Sequence, residues 1–94
     1  MEKPNIVLIT CHDLGRHINT YGVSTVSTPF MNKIARDGLK FNNIFCTSPG
    51  CSPSRASLAT GRYPHNNGVM GLAHADFGWD LKKDEEHIAT ILGN

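Results

Sequence analysis

The sequence has no long apolar run, no excess of one charge sign and no even set of cysteines. Its longest apolar stretch covers residues 6–9, far fewer than the roughly 20 residues that cross a bilayer. The formal net charge is +1, which excludes the strongly basic surface typical of nucleic-acid binders. Three cysteines, an odd number, argue against a closed disulfide framework. We therefore expect no membrane association and no nucleic-acid partner.

A secretory leader is also missing from the start of the sequence. Met1 is followed at once by Glu2, Lys3 and Pro4, with no apolar h-region and no small-residue cleavage site. The chain as written is expected to be cytoplasmic. If a leader was removed, the chain is expected to be periplasmic or exported, so the compartment stays open. Hydrophobic content of 39% and charged content of 18% predict a folded chain rather than a disordered one.

Strand-like and helix-like segments alternate along the chain. Residues 5–10 form a short β-branched apolar run, typical of a strand buried on both faces of a parallel sheet. Thr28 and Pro29 predict a helix start, and Gly38 predicts its end. Residues 39–45 alternate partly and predict a second strand. This order favours an α/β layer structure within a single domain, with a sheet that is incomplete in this chain.

Two more helices are predicted in the second half. Residues 54–60 contain good helix formers, with Ser52 as the expected cap and Pro53 as the expected first residue. Residues 62–80 are expected to form an irregular loop, because glycines interrupt any periodicity. The last helix is predicted over residues 84–92, with its acids in the first turn, where the helix dipole favours them.

Several side chains are assigned by residue type and position. Phe30 and Ile34 are expected to form the buried stripe of the first helix, and Cys11 and Cys46 are assigned to packing. In the loop after Gly71, His74 and Asp76 are candidates for lining a substrate pocket. These assignments rest on the sequence pattern alone.

The segment richest in chemistry is residues 51–55, Cys-Ser-Pro-Ser-Arg. It sets a sulfur nucleophile at a helix N-terminus, where free backbone N–H groups and the helix dipole favour a bound anion. Arg55 follows Cys51 by one helical turn on the same face. A guanidinium in that position can hold a tetrahedral oxyanion or stabilise charge on the nucleophile. Asp13 follows the first predicted strand, at the carboxyl end where ligand sites collect in α/β sheets.

These residues resemble the signature of the sulfatase family, C-x-P-x-R, with Leu58 and the Thr-Gly pair at residues 60–61 as its tail. Other segments resemble that family in the expected order. Residues 4–9 are similar to its first strand, residues 13–15 to the end of its D-D-x-G metal motif, and residues 28–43 to its T-P and G-x-x-F-x-N stretch. The serine-rich approach to the cysteine and the Gly71-Leu72 pair resemble the heparan N-sulfatase (sulfamidase) branch.

The resemblance implies a fold and a covalent mechanism. The fold would be the N-terminal part of an alkaline-phosphatase-like sandwich, with a mostly parallel central sheet flanked by helices, and residues 1–94 would be only a portion of that catalytic domain. A formylglycine-generating maturation enzyme would oxidise Cys51 to formylglycine. The hydrated aldehyde would attack the substrate's sulfur and then expel sulfate. Cys51 and Arg55 would be the catalytic residues.

The resemblance also implies a divalent metal, with Asp13, His12 and Cys51 at its ligand positions. Ca²⁺ is the first expectation, with Mg²⁺ and Mn²⁺ as alternatives. His12 departs from the family pattern, since it stands where the first aspartate of D-D-x-G usually lies. An imidazole is a poor ligand for Ca²⁺ and suits Mn²⁺ better, so the identity of the metal stays open.

The predicted function is hydrolysis of sulfuric esters or sulfamates on sulfated glycans. The family's later Lys-His pair and second Asp-Asn metal pair fall past residue 94, so the isolated chain is expected to be weakly active or inactive. One alternative is a phosphodiester or phosphonate hydrolase of the same superfamily, and another is a catalytically incomplete fragment that folds by forming a homo-oligomer. A zinc module built from Cys11, His12, Cys46 and Cys51 is less favoured, because their spacing fits no familiar pattern.

Overall fold

A computed structural model describes residues 3–93. Its regular elements are a 3-10 helix (Asn19–Tyr21) and four α-helices: α1 (Pro29–Asp37), α2 (Cys51–Thr60), α3 (Pro64–Asn67) and α4 (Ile88–Leu92). No helix in this range is long and apolar enough to cross a membrane. The chain divides into two compact units, with the boundary between Asn43 and Ile44.

Neither predicted strand forms in the described part of the chain. Residues 5–10 and 39–45 carry no strand, and their apolar side chains are exposed, with Val7 at 82% and Phe45 at 88%. A strand is stable when a neighbouring strand pairs its backbone groups and another layer covers its apolar face. Cys11 and Cys46, which were assigned to packing, are exposed for the same reason.

In the first unit, polar side chains join α1 to the 3-10 helix. Thr28 Oγ1 accepts a hydrogen bond from the Asn19 N–H at 3.2 Å, and Asn32 Nδ2 donates to Asn19 Oδ1 at 2.7 Å. The predicted bounds of α1 are confirmed, since it begins at Pro29 and ends where the Gly38 N–H donates to the Ile34 carbonyl. Its polar side makes these contacts, so the predicted buried stripe is wrong.

The apolar residues of that predicted stripe lie on the surface instead. Phe30 is 81% exposed and Ile34 is 70% exposed. The buried apolar residue of this unit is Ile18, which directly precedes the 3-10 helix. The first unit is therefore held mainly by hydrogen bonds and has very little apolar core.

The second unit is organised around Asn67, whose side chain is fully buried. Its amide nitrogen donates to the Arg62 carbonyl at 3.1 Å, and its Oδ1 accepts from the Val69 N–H at 2.9 Å. Its own carbonyl accepts from the Lys82 N–H at 3.0 Å. Residues 62–80 were predicted to be irregular throughout, but α3 forms one helical turn there, and Asn67 is its last residue.

The last helix is shorter than predicted. It begins at Ile88, with His87 at the N-cap position, where the imidazole Nδ1 accepts from the Thr90 N–H at 3.3 Å. Glu85 was expected in the first turn of this helix, but it lies outside it. Its side chain is only 3% exposed and pairs with Arg62 Nη1 at 3.1 Å. The Glu85 carboxylate therefore pairs with Arg62 instead of interacting with the dipole of the last helix.

Candidate active site

The helix that carries Cys51 begins earlier than the sequence predicted. Gly50 is the N-cap residue, and the first turn closes through a hydrogen bond from the Ser54 N–H to the Gly50 carbonyl at 3.1 Å. Ser52 and Pro53 are therefore the second and third helical residues, and the predicted cap and first residue are wrong. Proline is tolerated there because the first-turn N–H groups have no helical acceptor in any case.

This shift places the cysteine inside the first turn of α2 rather than in front of it. Cys51 is half-buried, and its Sγ lies 4.0 Å from the Ser52 hydroxyl oxygen. Arg55 is exposed and lies four residues further along the same helix. Residues four apart share a helical face, so α2 presents the thiol and the guanidinium on one side.

The predicted metal positions in the first unit contact each other. His12 Nδ1 lies 3.0 Å from Asp13 Oδ2, and both side chains are largely exposed. The Asp13 backbone is in the left-handed region, with φ of 54°, a conformation that aspartate adopts more readily than most residues. This local bend sets the carboxylate of Asp13 against the imidazole that precedes it.

These groups do not by themselves form a complete metal centre. Within residues 3–93, no three histidine, cysteine or acidic side chains come together as a set that could hold a metal ion. Ca²⁺ needs six to eight oxygen ligands, and Asp13 supplies a single carboxylate beside an imidazole nitrogen. Cys11 and His12 join no such set in the described part of the first unit, and Cys46 and Cys51 join none in that of the second.

The predicted site residues thus fall into two pairs. His12 and Asp13 are paired within the first unit, and Cys51 and Arg55 share a helix in the second. Comparison with known proteins identifies the family: the model of the family described as Sulfatase matches residues 4–94. This chain belongs to the sulfatase family. That family implies an α/β fold of the alkaline-phosphatase type, as the sequence resemblance indicated.

Individual sulfatases are similar to this chain over most of its length. The chain is 45% identical to an ulvan-active sulfatase of Formosa agariphila, over 81% of this chain and 13% of that protein. It is 43% identical to the human N-sulphoglucosamine sulphohydrolase, over 77% of this chain and 14% of that protein. It is 41% identical to an N-acetylgalactosamine-6-O-sulfatase of Bacteroides thetaiotaomicron, over 77% of this chain and 14% of that protein.

The chain therefore spans roughly an eighth to a seventh of the length of these sulfatases. No solved structure matches the chain significantly. The relatives carry names of both O-sulfatases and an N-sulfatase at similar identity, so similarity alone does not select the sulfamidase branch.

One contact beside the sulfatase signature was missed by the sequence reasoning. The Ala73 N–H donates a hydrogen bond to Ser52 Oγ at 3.1 Å, across 21 residues of chain. Ser52 had been assigned to helix capping, and no periodicity or spacing pairs it with the loop after Gly71. The loop that holds His74 is thereby joined to the helix that holds Cys51.

Proposed function

We propose that residues 1–94 are the N-terminal portion of a sulfatase catalytic domain, and that the whole protein hydrolyses sulfuric esters or sulfamates of sulfated glycans. The observation that carries this proposal is the pair formed by Cys51 and Arg55 within C-x-P-x-R on the first turns of α2. The names of the relatives, which mention ulvan, N-acetylgalactosamine and N-sulphoglucosamine, support a sulfated carbohydrate as the substrate class.

The position of residue 51 suits reaction with an anion. At a helix start, the free N–H groups and the positive end of the helix dipole stabilise negative charge. Cys51 is the first residue of α2, so a sulfate group that reaches it also approaches these N–H groups. Conversion of Cys51 to formylglycine supplies an aldehyde whose hydrate can accept and then release sulfate, whereas a serine would retain a stable sulfate ester.

Arg55 is proposed to bind the sulfate oxygens beside residue 51. A guanidinium offers parallel N–H donors that match two oxygens of a tetrahedral anion. Its position one turn after Cys51 allows contact with the same anion. Such a contact accelerates the reaction to the extent that it is stronger in the transition state of sulfuryl transfer than in the bound substrate.

The metal also stays a proposal, with Asp13 and His12 as its ligand positions in the first unit. Ca²⁺ is our first choice and Mg²⁺ an alternative, because Asp13 offers carboxylate oxygens, which both ions prefer. Mn²⁺ is a second alternative, because His12 offers a nitrogen ligand. The ligand set in residues 3–93 is incomplete, so we assign the metal no step of the reaction.

The test is a comparison of three substrate classes with the full-length protein. We expect hydrolysis of an aryl sulfate, or of the sulfamate of N-sulfoglucosamine, to exceed hydrolysis of an aryl phosphodiester by about 100-fold or more in kcat/KM. A preference for the phosphodiester would favour the related phosphodiester and phosphonate hydrolases instead. A faster reaction with the sulfamate than with the aryl sulfate would favour the sulfamidase branch.

Replacement of Arg55 tests its proposed contact. Arg55→Ala should lower kcat/KM by roughly 10²- to 10³-fold, the usual effect of removing a group that stabilises transition-state charge. Arg55→Lys keeps the charge but loses the planar fork, so a smaller loss of about tenfold is expected. Arg36→Ala, an exposed arginine on α1, is the matched control. Equal losses for Arg36→Ala and Arg55→Ala would contradict a specific role for Arg55.

A further inference from the structure

We propose that Ser52 is a positioning residue, which holds the loop of residues 71–79 beside the nucleophile and so controls how saccharide substrates reach residue 51. This inference rests on the proposed function, because it assigns a specificity element to that same site. The residue acts through the loop rather than through the reacting atoms.

A hydrogen bond and a short side-chain distance carry the proposal. Ser52 Oγ accepts the Ala73 N–H at 3.1 Å and lies 4.0 Å from Cys51 Sγ. The Ala73 nitrogen is therefore no more than about 7 Å from the sulfur. That is close to the size of a single sugar ring, so a saccharide bound at residue 51 would meet this loop.

Hydrogen bonds within the loop fix its backbone conformation, so the position of Ala73 determines the position of the rest of the loop. Two consecutive turns are closed by hydrogen bonds from the Ala75 N–H to the Leu72 carbonyl at 3.0 Å and from the Gly78 N–H to the Ala75 carbonyl at 2.8 Å. Its two ends meet, since a Cβ on Gly71 would lie 2.7 Å from Trp79 Nε1. The contact between Gly71 and the indole requires a residue with no side chain.

The Ser52 hydroxyl also has the right hydrogen-bonding capacity for this place. A hydroxyl has two acceptor lone pairs and a single donor hydrogen. By accepting from Ala73 it leaves its own O–H able to donate toward the side chain at residue 51, the next residue along the helix. Ser52 thereby connects the loop to the nucleophile, and a hydrophobic residue at this position would lose both contacts.

The loop carries the polar groups that a saccharide needs. His74 follows Ala73 directly, Asp76 lies three residues after it, and both are exposed. Imidazole and carboxylate groups accept hydrogen bonds from sugar hydroxyls, whereas a small aryl sulfate has no hydroxyls to donate. We therefore expect the position of the loop to matter more for a sulfated oligosaccharide than for an aryl sulfate.

The first measurement follows the Ala73 amide by NMR hydrogen exchange. In Ser52→Ala, which lacks the acceptor, the Ala73 amide should exchange about tenfold faster, the factor that corresponds to loss of a single net hydrogen bond. Ser52→Thr keeps the hydroxyl and should restore slow exchange. Ser57→Ala is the matched control in the same helix, because the buried Ser57 hydroxyl makes no hydrogen bond within the described residues. Unchanged Ala73 exchange in Ser52→Ala would overturn the proposal.

The second measurement compares two substrates in the full-length protein, with the mass of residue 51 checked in every variant. Ser52→Ala should raise KM for a sulfated oligosaccharide about tenfold and affect an aryl sulfate less than about threefold, with recovery in Ser52→Thr. Gly71→Ala, which displaces Trp79 and leaves Ser52 intact, should produce the same selective loss.

The outcomes separate this proposal from the proposed function. Equal losses on both substrates would assign Ser52 to the chemistry or to maturation of residue 51 and would overturn the positioning role. A wild-type protein that hydrolyses neither substrate would overturn the proposed function, and the specificity role with it. Even then, the Ala73 exchange would still decide whether Ser52 holds the loop.

Discussion

Cys51→Ala in the full-length protein is expected to lower kcat for sulfate hydrolysis by roughly 10⁴-fold or more, because it removes the nucleophile itself. The half-buried thiol at the first residue of α2 is the group placed to react with an anion at that helix end. The measurement is steady-state hydrolysis of an aryl sulfate. Cys11→Ala and Cys46→Ala, which replace exposed cysteines, are matched controls and should retain activity.

Mass spectrometry tests the chemical identity of residue 51 in the same samples. Conversion of the CH₂–SH group to an aldehyde removes sulfur and two hydrogens and adds oxygen, a loss of about 18 Da. We expect this loss in the Cys51 peptide from protein produced with a formylglycine-generating enzyme, together with labelling by a hydrazine probe. A fully active protein with an unmodified Cys51 thiol would contradict the formylglycine assignment.

Cys51→Ser separates the two roles of the aldehyde hydrate. A serine side chain has a single hydroxyl, so once it is sulfated no second hydroxyl remains to expel the sulfate. We therefore expect residue 51 to become sulfated, with a mass increase of about 80 Da, and turnover to stop there. Normal multiple turnover in Cys51→Ser would show that release of sulfate needs no hydrated aldehyde, and the mechanism implied by the family resemblance would then be wrong for this protein.

The sequence predicted local helical features well, because short-range interactions determine them. Pro29 and Gly38 bound α1 as expected, and Gly61 ends α2 in the left-handed conformation that glycine favours. Cys51 was expected in front of the helix that carries Arg55, whereas it is the first residue of that helix. The start of α2 was predicted less accurately, because Gly50 rather than Ser52 is the N-cap residue and the Ser52 hydroxyl accepts the Ala73 N–H instead.

Features that depend on distant partners were not predictable in the same way. The hydrogen bond between Ser52 and Ala73 and the ion pair between Arg62 and Glu85 each join residues more than 20 positions apart. Neither has a signal in local periodicity. Glu85 is an example: the helix-dipole preference predicted it in the first turn of the last helix, whereas it lies before that helix and pairs with Arg62.

The absent strands have a related physical cause. Ile6, Ile9 and Leu39 are among the exposed apolar residues of the predicted strands. Strand pairing and burial of these side chains require a neighbouring layer. The described residues do not supply that layer, so the predicted strands do not form among them.

Asn67→Ala is expected to lower the free energy of unfolding by about 2–4 kcal/mol, a large effect for a chain with so little apolar core. The substitution leaves the Val69 N–H and the Arg62 carbonyl without their side-chain partner, and Val69 is itself buried. An unpaired buried polar group costs about 1–3 kcal/mol. Urea unfolding followed by circular dichroism measures the loss.

Asn66→Ala is the matched control, since the neighbouring asparagine is exposed and surface substitutions usually change stability by less than about 0.5 kcal/mol. Loss of Asn67 should also loosen the contact between α3 and the Lys82 backbone, because the Asn67 carbonyl accepts the Lys82 N–H at the end of that helix. The Lys82 amide hydrogen should then exchange faster in Asn67→Ala, and its exchange rate should be unchanged in Asn66→Ala. Equal stability of the two variants would mean that Asn67 does not organise the second unit.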